Sequence, residues 1–186
     1  MGKKHRAKKN NAGRRRADRL GGGPSHVPAG SGRRAAATHE AAHAVARQVL
    51  LGNVVEARVN DKGGGRVDGP EVPYKALSRA ELEATAVITY AGVYAERRLV
   101  PKHAAAKVVV QTDLDQVAFI KMVGRFTALE MASFYRRAGR LVVHHKVEVE
   151  AVAARLHLCG RLRGATVFEI VAAARAVPPA NEGRAA

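Results

Sequence analysis

Residues 35–51 read AAATHEAAHAVARQVLL, and this stretch decides how the rest of the chain is understood. It is rich in helix formers, and Gly52-Asn53 behind it is a stop signal. The stretch therefore predicts a helix over 35–51. Within it, His39 and His43 stand four residues apart. On a helix that spacing stacks two side chains on one face, with Cβ atoms roughly 5–6 Å apart. Two imidazoles so placed can each bring a nitrogen to ~2.0–2.1 Å from one Zn²⁺. Glu40 follows the first histidine directly, where it can reach a water on the metal and take its proton. Ala41, Ala42, Ala44, Val45 and Ala46 make the helix mostly apolar. A His-Glu-His cluster buried on such a helix needs polar partners.

A catalytic zinc takes three protein ligands and keeps one position open. No third histidine follows His43 at short spacing, so the third ligand must come from elsewhere in the chain. By residue type the candidates are Glu81, Glu83, Glu96, His103, Asp113, Asp115 and His144, and spacing does not choose among them.

The chain has 186 residues, enough for one domain with a real core. Hydrophobic residues make up 47% but aromatics only 4%, with no Trp, so the core must be built from Ala, Val and Leu. That composition suits closely packed helices. Cys159 is the only cysteine, which excludes an intrachain disulfide and a Cys-rich metal site. No apolar run approaches the ~20 residues of a membrane span, and the charged N-terminus lacks the apolar segment of a signal peptide. The expectation is an intracellular, soluble, cytoplasmic protein without a membrane span.

The charge is unevenly placed. Residues 1–34 hold eleven Lys and Arg against Asp18 alone, a balance of +10 out of the chain's +16. With Gly21-Gly22-Gly23-Pro24 and Pro28-Ala29-Gly30-Ser31-Gly32, this segment reads as a disordered basic arm. Weak, nonspecific contact with nucleic acid through phosphates is expected of it, although it lacks aromatics that could stack on bases. The folded domain is expected over 35–178, with a flexible tail at 179–186.

Behind the first helix, Val54 to Val59 suits a short strand, 61–65 (DKGGG) a turn, and Arg66-Val67 a returning strand. Ser78 and Glu81 form a capping-box pattern, repeated by Thr127 with Glu130 and by Thr166 with Glu169. Thr112 reads as the cap of a helix starting at Asp113, and 144–158 as a further helix. Glu96, beside Arg97 and Arg98, reads as part of a helix-end ion pair. His144 and His145 read as solvated or capping groups, and Cys159 as a small core residue.

THEAAHAVA (38–46) resembles the zinc-binding helix of the FtsH-type peptidases, the proteolytic half of the ATP-dependent AAA+ metalloproteases. The similarity continues in order through VVEARVNDKGGGRV (54–67), TYAGVYAERRL (89–99), QTDLDQVAFI (111–120), LVVHHKVEVEAVAARL (141–156) and GRLRGATVFEI (160–170). The resemblance implies a mainly α, helical zincin-like bundle with a short β-hairpin after the zinc helix. It implies Zn²⁺ held by His39, His43 and Asp113, with Glu40 as the catalytic base. Asp113 directly precedes Leu114 as in the family pattern, which sets it ahead of Asp115. The departures are Ala42 where the family usually has Gly, and the lack of a Walker-type phosphate loop, an ATPase domain and membrane-spanning segments.

The expected function is therefore zinc-dependent hydrolysis of peptide bonds in a polypeptide substrate, alone or beside a separate ATPase that unfolds it. The alternative is a noncatalytic nucleic-acid-binding protein that uses the basic arm and keeps a relic or structural metal site. Oligomeric state is left open.

Overall fold

Helix α1, Ser31–Leu51, is the element around which the others are arranged. The computed structural model describes residues 31–101 and 107–176. Alanines 35, 36, 37, 41, 42, 44 and 46 of α1 are all buried, together with Val45. Such small side chains let neighbouring backbones approach closely. The α1 helix is accordingly flanked by α2 (Arg79–Leu99), by α5 (Lys146–Cys159) and by the sheet. The remaining helices are α3 (Lys107–Gly124), α4 (Ala128–His144) and α6 (Gly164–Ala176). The described residues thus form a mainly α fold of six helices and one small sheet, as the composition implies.

The hairpin lies where the turn residues place it. Strands β1, Glu56–Val59, and β2, Gly65–Asp68, pair antiparallel with Ala57 opposite Val67. In the connection, the Asn60 side chain accepts the N–H groups of Lys62 and Gly64, both at 3.0 Å. Gly63 turns the chain with φ +81°, a conformation that L side chains avoid. A third strand, β3 (Arg161–Arg163), pairs with the other side of β1. The order β2-β1-β3 leaves β2 at an edge. This third strand is missing from the sequence reading, because three residues alternating Arg-Leu-Arg carry almost no strand signal.

Two of the three capping boxes form. Glu81 Oε2 accepts the Ser78 N–H at 2.7 Å while Ser78 Oγ accepts the Glu81 N–H at 3.3 Å. Thr127 and Glu130 repeat this at 2.7 and 3.2 Å. Such caps contribute about 1 kcal/mol each. The third box does not form, because α6 already begins at Gly164, whose N–H is satisfied by the Val55 carbonyl at 2.8 Å.

Other boundaries differ too. The α1 helix starts at Ser31, ahead of the expected arm boundary at 34, and Arg33 pairs with Asp61 of the hairpin turn at 2.5 Å. Residues 1–30 of the arm and the tail at 179–186 lie outside the described residues, as does His103. Thr112 is not a cap: Lys107 and three valines extend the helix ahead of it, so Asp113 lies inside α3. Cys159, expected in the core, is exposed at the end of α5, just before Gly160 closes that helix with φ +72°. Among the described residues, no helix is long and apolar enough to cross a membrane.

Candidate metal centre

Three helices bring four buried polar side chains together. From α1 come His39, with no exposed surface, and His43; from α2 comes Glu96, and from α3 Asp113. Asp113 Oδ2 lies 2.8 Å from His39 Nε2 and 3.1 Å from His43 Nε2. The two Nε2 atoms are themselves 3.0 Å apart, with the rings edge to face.

The outer ring nitrogens decide what this triangle can do. His43 Nδ1 lies 2.8 Å from the Ile88 carbonyl oxygen, which only accepts, so Nδ1 must donate. His39 Nδ1 lies 3.0 Å from Glu96 Oε2 and donates likewise to that carboxylate. In the neutral imidazoles both Nε2 atoms are then bare lone pairs, aimed at a carboxylate oxygen. Three acceptors facing one another repel unless a cation stands between them. Orientation of ligand histidines by a carboxylate or carbonyl on the outer nitrogen is the usual supporting arrangement of a metal site. Donors around a tetrahedral zinc at ~2.0–2.1 Å stand about 3.3 Å apart, so this triangle needs only a slight opening to hold an ion. His39, His43 and Asp113 could therefore hold a metal ion.

Gly92 of α2 supplies the space. A Cβ there would fall on Nε2 and Cε1 of His43 and lie 2.8 Å from His39 Nε2. Gly65, at the start of β2, plays the same part for Glu40: a Cβ would press on the Glu40 Cγ and come within 2.7 Å of Oε1. Glu40 is buried beside the triangle and lines a cleft of about 670 Å³ with His43, Asp113, Arg47 and the β2 edge. Burial pushes its carboxyl group above the usual carboxylate range, against the pull of His43 and His39.

The other candidate ligands are placed elsewhere. Glu81 serves the α2 cap, Glu83 pairs with Arg79 and Arg137 at 3.5 Å, and Asp115 is exposed. His144 is exposed, and His145 bonds Glu148 at 2.8 Å. Glu96 corrects the sequence reading. It is not a helix-end ion pair but a buried acceptor for His39, because the turn of α2 that carries it faces α1. Gly92 and the Ile88 carbonyl are likewise unread in the sequence. The glycine inside an alanine-rich helix was the available signal.

Without a metal ion a proton takes the central place. Burial disfavours a charged His39, but Asp113 and Glu96 outweigh this and push it up to about 9. Burial would raise Asp113 as well, but the two histidines hold it well below the usual range. A group whose folded value is raised stabilises the fold fully below its unfolded value, near 6.5, and loses that contribution as pH rises through the folded value. The metal-free protein is therefore expected to melt at lower temperature at pH 9.5 than at pH 6.5. The metal-loaded protein should keep its stability over this range, since the ion replaces the proton. Thermal melts of chelator-treated and metal-loaded protein check this; a gap that narrows toward alkaline pH would contradict it.

No protein-family model matches the chain, and no curated protein does.

Proposed function

We propose that the protein is a zinc-dependent peptidase, with His39, His43 and Asp113 as ligands and Glu40 as general base. The observation that carries this reading is the fixed direction of both histidine rings. Their Nδ1 hydrogens are committed to Ile88 and Glu96, which turns both Nε2 lone pairs onto the Asp113 carboxylate. Two histidines and a carboxylate are a donor set that catalytic zinc takes, with a fourth position left for water or substrate. The HExxH spacing and the FtsH-type resemblance of residues 35–175 support peptide hydrolysis over other hydrolytic chemistry.

When bound, zinc polarises the scissile carbonyl and lowers the pKa of a water toward neutrality. Glu40 accepts the proton of the attacking water and delivers it to the leaving amine. Gly65 leaves the space that the Glu40 side chain occupies. Asp113 and Glu96 balance the charge of the ion, and Glu96 keeps the His39 ring from rotating. The edge of β2, unpaired among the described residues, lies along the cleft, where an extended polypeptide can add as a further strand. With no unfolding machinery among residues 31–176, the substrate is a flexible polypeptide, or one handed over by a separate ATPase.

Elemental analysis of the purified chain is expected to give about one zinc per molecule. An unstructured polypeptide should be cleaved by the loaded protein, spared after chelation, and cleaved again when zinc is restored. Absence of bound zinc at neutral pH would sink the reading; cleavage only with an added unfoldase would place the chain as a subunit of a larger protease.

A further inference from the structure

Arg47 stands two helical turns beyond His39 and one beyond His43, on the same face of α1. It lines the cleft that contains Glu40 and Asp113. Its guanidinium lies over Gly69, just past the end of β2, where no Cβ could be accommodated. Unlike most arginines with a described side chain near an acid, it forms no hydrogen bond or ion pair with any described residue. Its Nε is buried without a partner. The nearest carboxylate on the strand is already taken, because Asp68 pairs with Arg66 and lies 3.6 Å from Arg58. Burial disfavours the charge of this half-buried guanidinium, and Tyr74 and the more distant Asp68 offset that only in part, so an anion seated directly on the fork would offset it further.

The track between the two charges has a definite length. Gly65 abuts Glu40 and Gly69 abuts Arg47, so β2 and α1 run side by side as the two walls of the cleft. Seven residues of helix separate Glu40 from Arg47, roughly 10 Å along the axis. An extended peptide at about 3.3 Å per residue covers this in about three residues.

From this we infer that Arg47 is a specificity-determining anchor for a substrate carboxylate about three residues from the bond at the metal. The inference rests on the peptidase reading for its register. The carboxylate is either an Asp or Glu side chain or the free C-terminus of a short peptide, since both present the same planar anion to the guanidinium fork.

The test reads binding separately from turnover. The zinc-loaded Glu40→Gln protein is titrated with labelled unstructured peptides that carry Glu or Gln at successive positions, each with a free or an amidated C-terminus. One register is expected to bind about tenfold more tightly with the charge than without it, the range of a charge-assisted pair. A Glu-over-Gln preference that survives amidation assigns the side chain; a preference abolished by amidation assigns the C-terminus. Arg47→Gln should erase the preference and Arg47→Lys restore part of it. Equal affinities at every position, no peptide binding at all, or a preference that survives Arg47→Gln and so belongs to the basic residues 1–34, would each overturn the inference. Turnover by the Glu40 form then separates the two readings. Charge preference without cleavage sinks the peptidase reading alone, and cleavage without charge preference sinks the role of Arg47 alone.

Discussion

Glu40→Gln is expected to abolish peptide cleavage while leaving the zinc content at about one per chain. A positioned general base contributes roughly 10²–10⁴-fold to a hydrolytic rate, and among the described residues Glu40 is the carboxylate beside the triangle that is not itself committed to a histidine. The kcat of the variant should fall by about that factor. The substitution keeps the shape of the side chain, so the packing against Gly65 is preserved. The metal donors are not touched. Stability should not fall either. Burial raises the Glu40 carboxyl above its ordinary value, so the ionised group opposes folding of the metal-free chain at neutral pH. A neutral amide removes that opposition, and the metal-free variant should melt at or above the wild-type temperature. A Glu40→Gln protein that retains full activity would eliminate Glu40 as the base. One that loses zinc would show that Glu40 acts on the metal and not on the water.

The second large effect is expected at a residue with no functional group. Gly92→Ala adds one methyl group directly against both Nε2 atoms. The α1 and α2 helices are packed through alanines at this level, including Ala41, Ala42, Ala91 and Ala95, so neither backbone can retreat cheaply. Overpacking of this kind costs about 1–3 kcal/mol in stability. The larger consequence is chemical, since the methyl must displace a histidine nitrogen from the ion. Zinc affinity is expected to fall at least about 100-fold, the upper end of what disturbed outer-sphere support costs. The helical circular dichroism signal should be retained. Full zinc occupancy in the alanine variant at limiting metal would contradict the placement of Gly92.

What could be read from the chain alone follows the range of the interactions. The HExxH spacing, the turn at Asp61–Gly65 and the boxes at Ser78 and Thr127 are set within a few residues, and all are legible. The third corner of the site is separated from His43 by seventy residues, and the residues by themselves left seven candidates. Glu96 was misread for the same reason: beside two arginines it resembles a solvated helix end, and only the packing of α2 on α1 turns it inward. The start of α3 and the strand β3 were lost because their signals are weak. An apolar Val-Val-Val run ahead of Gln111-Thr112 carries no cap, and a three-residue strand carries too little periodicity. Cys159 failed on base composition, since a lone cysteine is more often buried than not.

The position of Asp113 on α3 has a consequence for how the protein matures. The α3 helix rests on α2 and on the turn at Tyr74–Ala76, and its Asp113 carboxylate reaches the histidines of α1. An ion held by His39, His43 and Asp113 would therefore act as a clasp between the first helix and the third. Docking of α3 and capture of metal become a single coupled equilibrium, each favouring the other by the same free energy. A growing chain that has not yet delivered residue 113 holds two histidines and no closed site. On that account the two histidines would wait for a partner, and the site would close only once the third helix has been made and has docked.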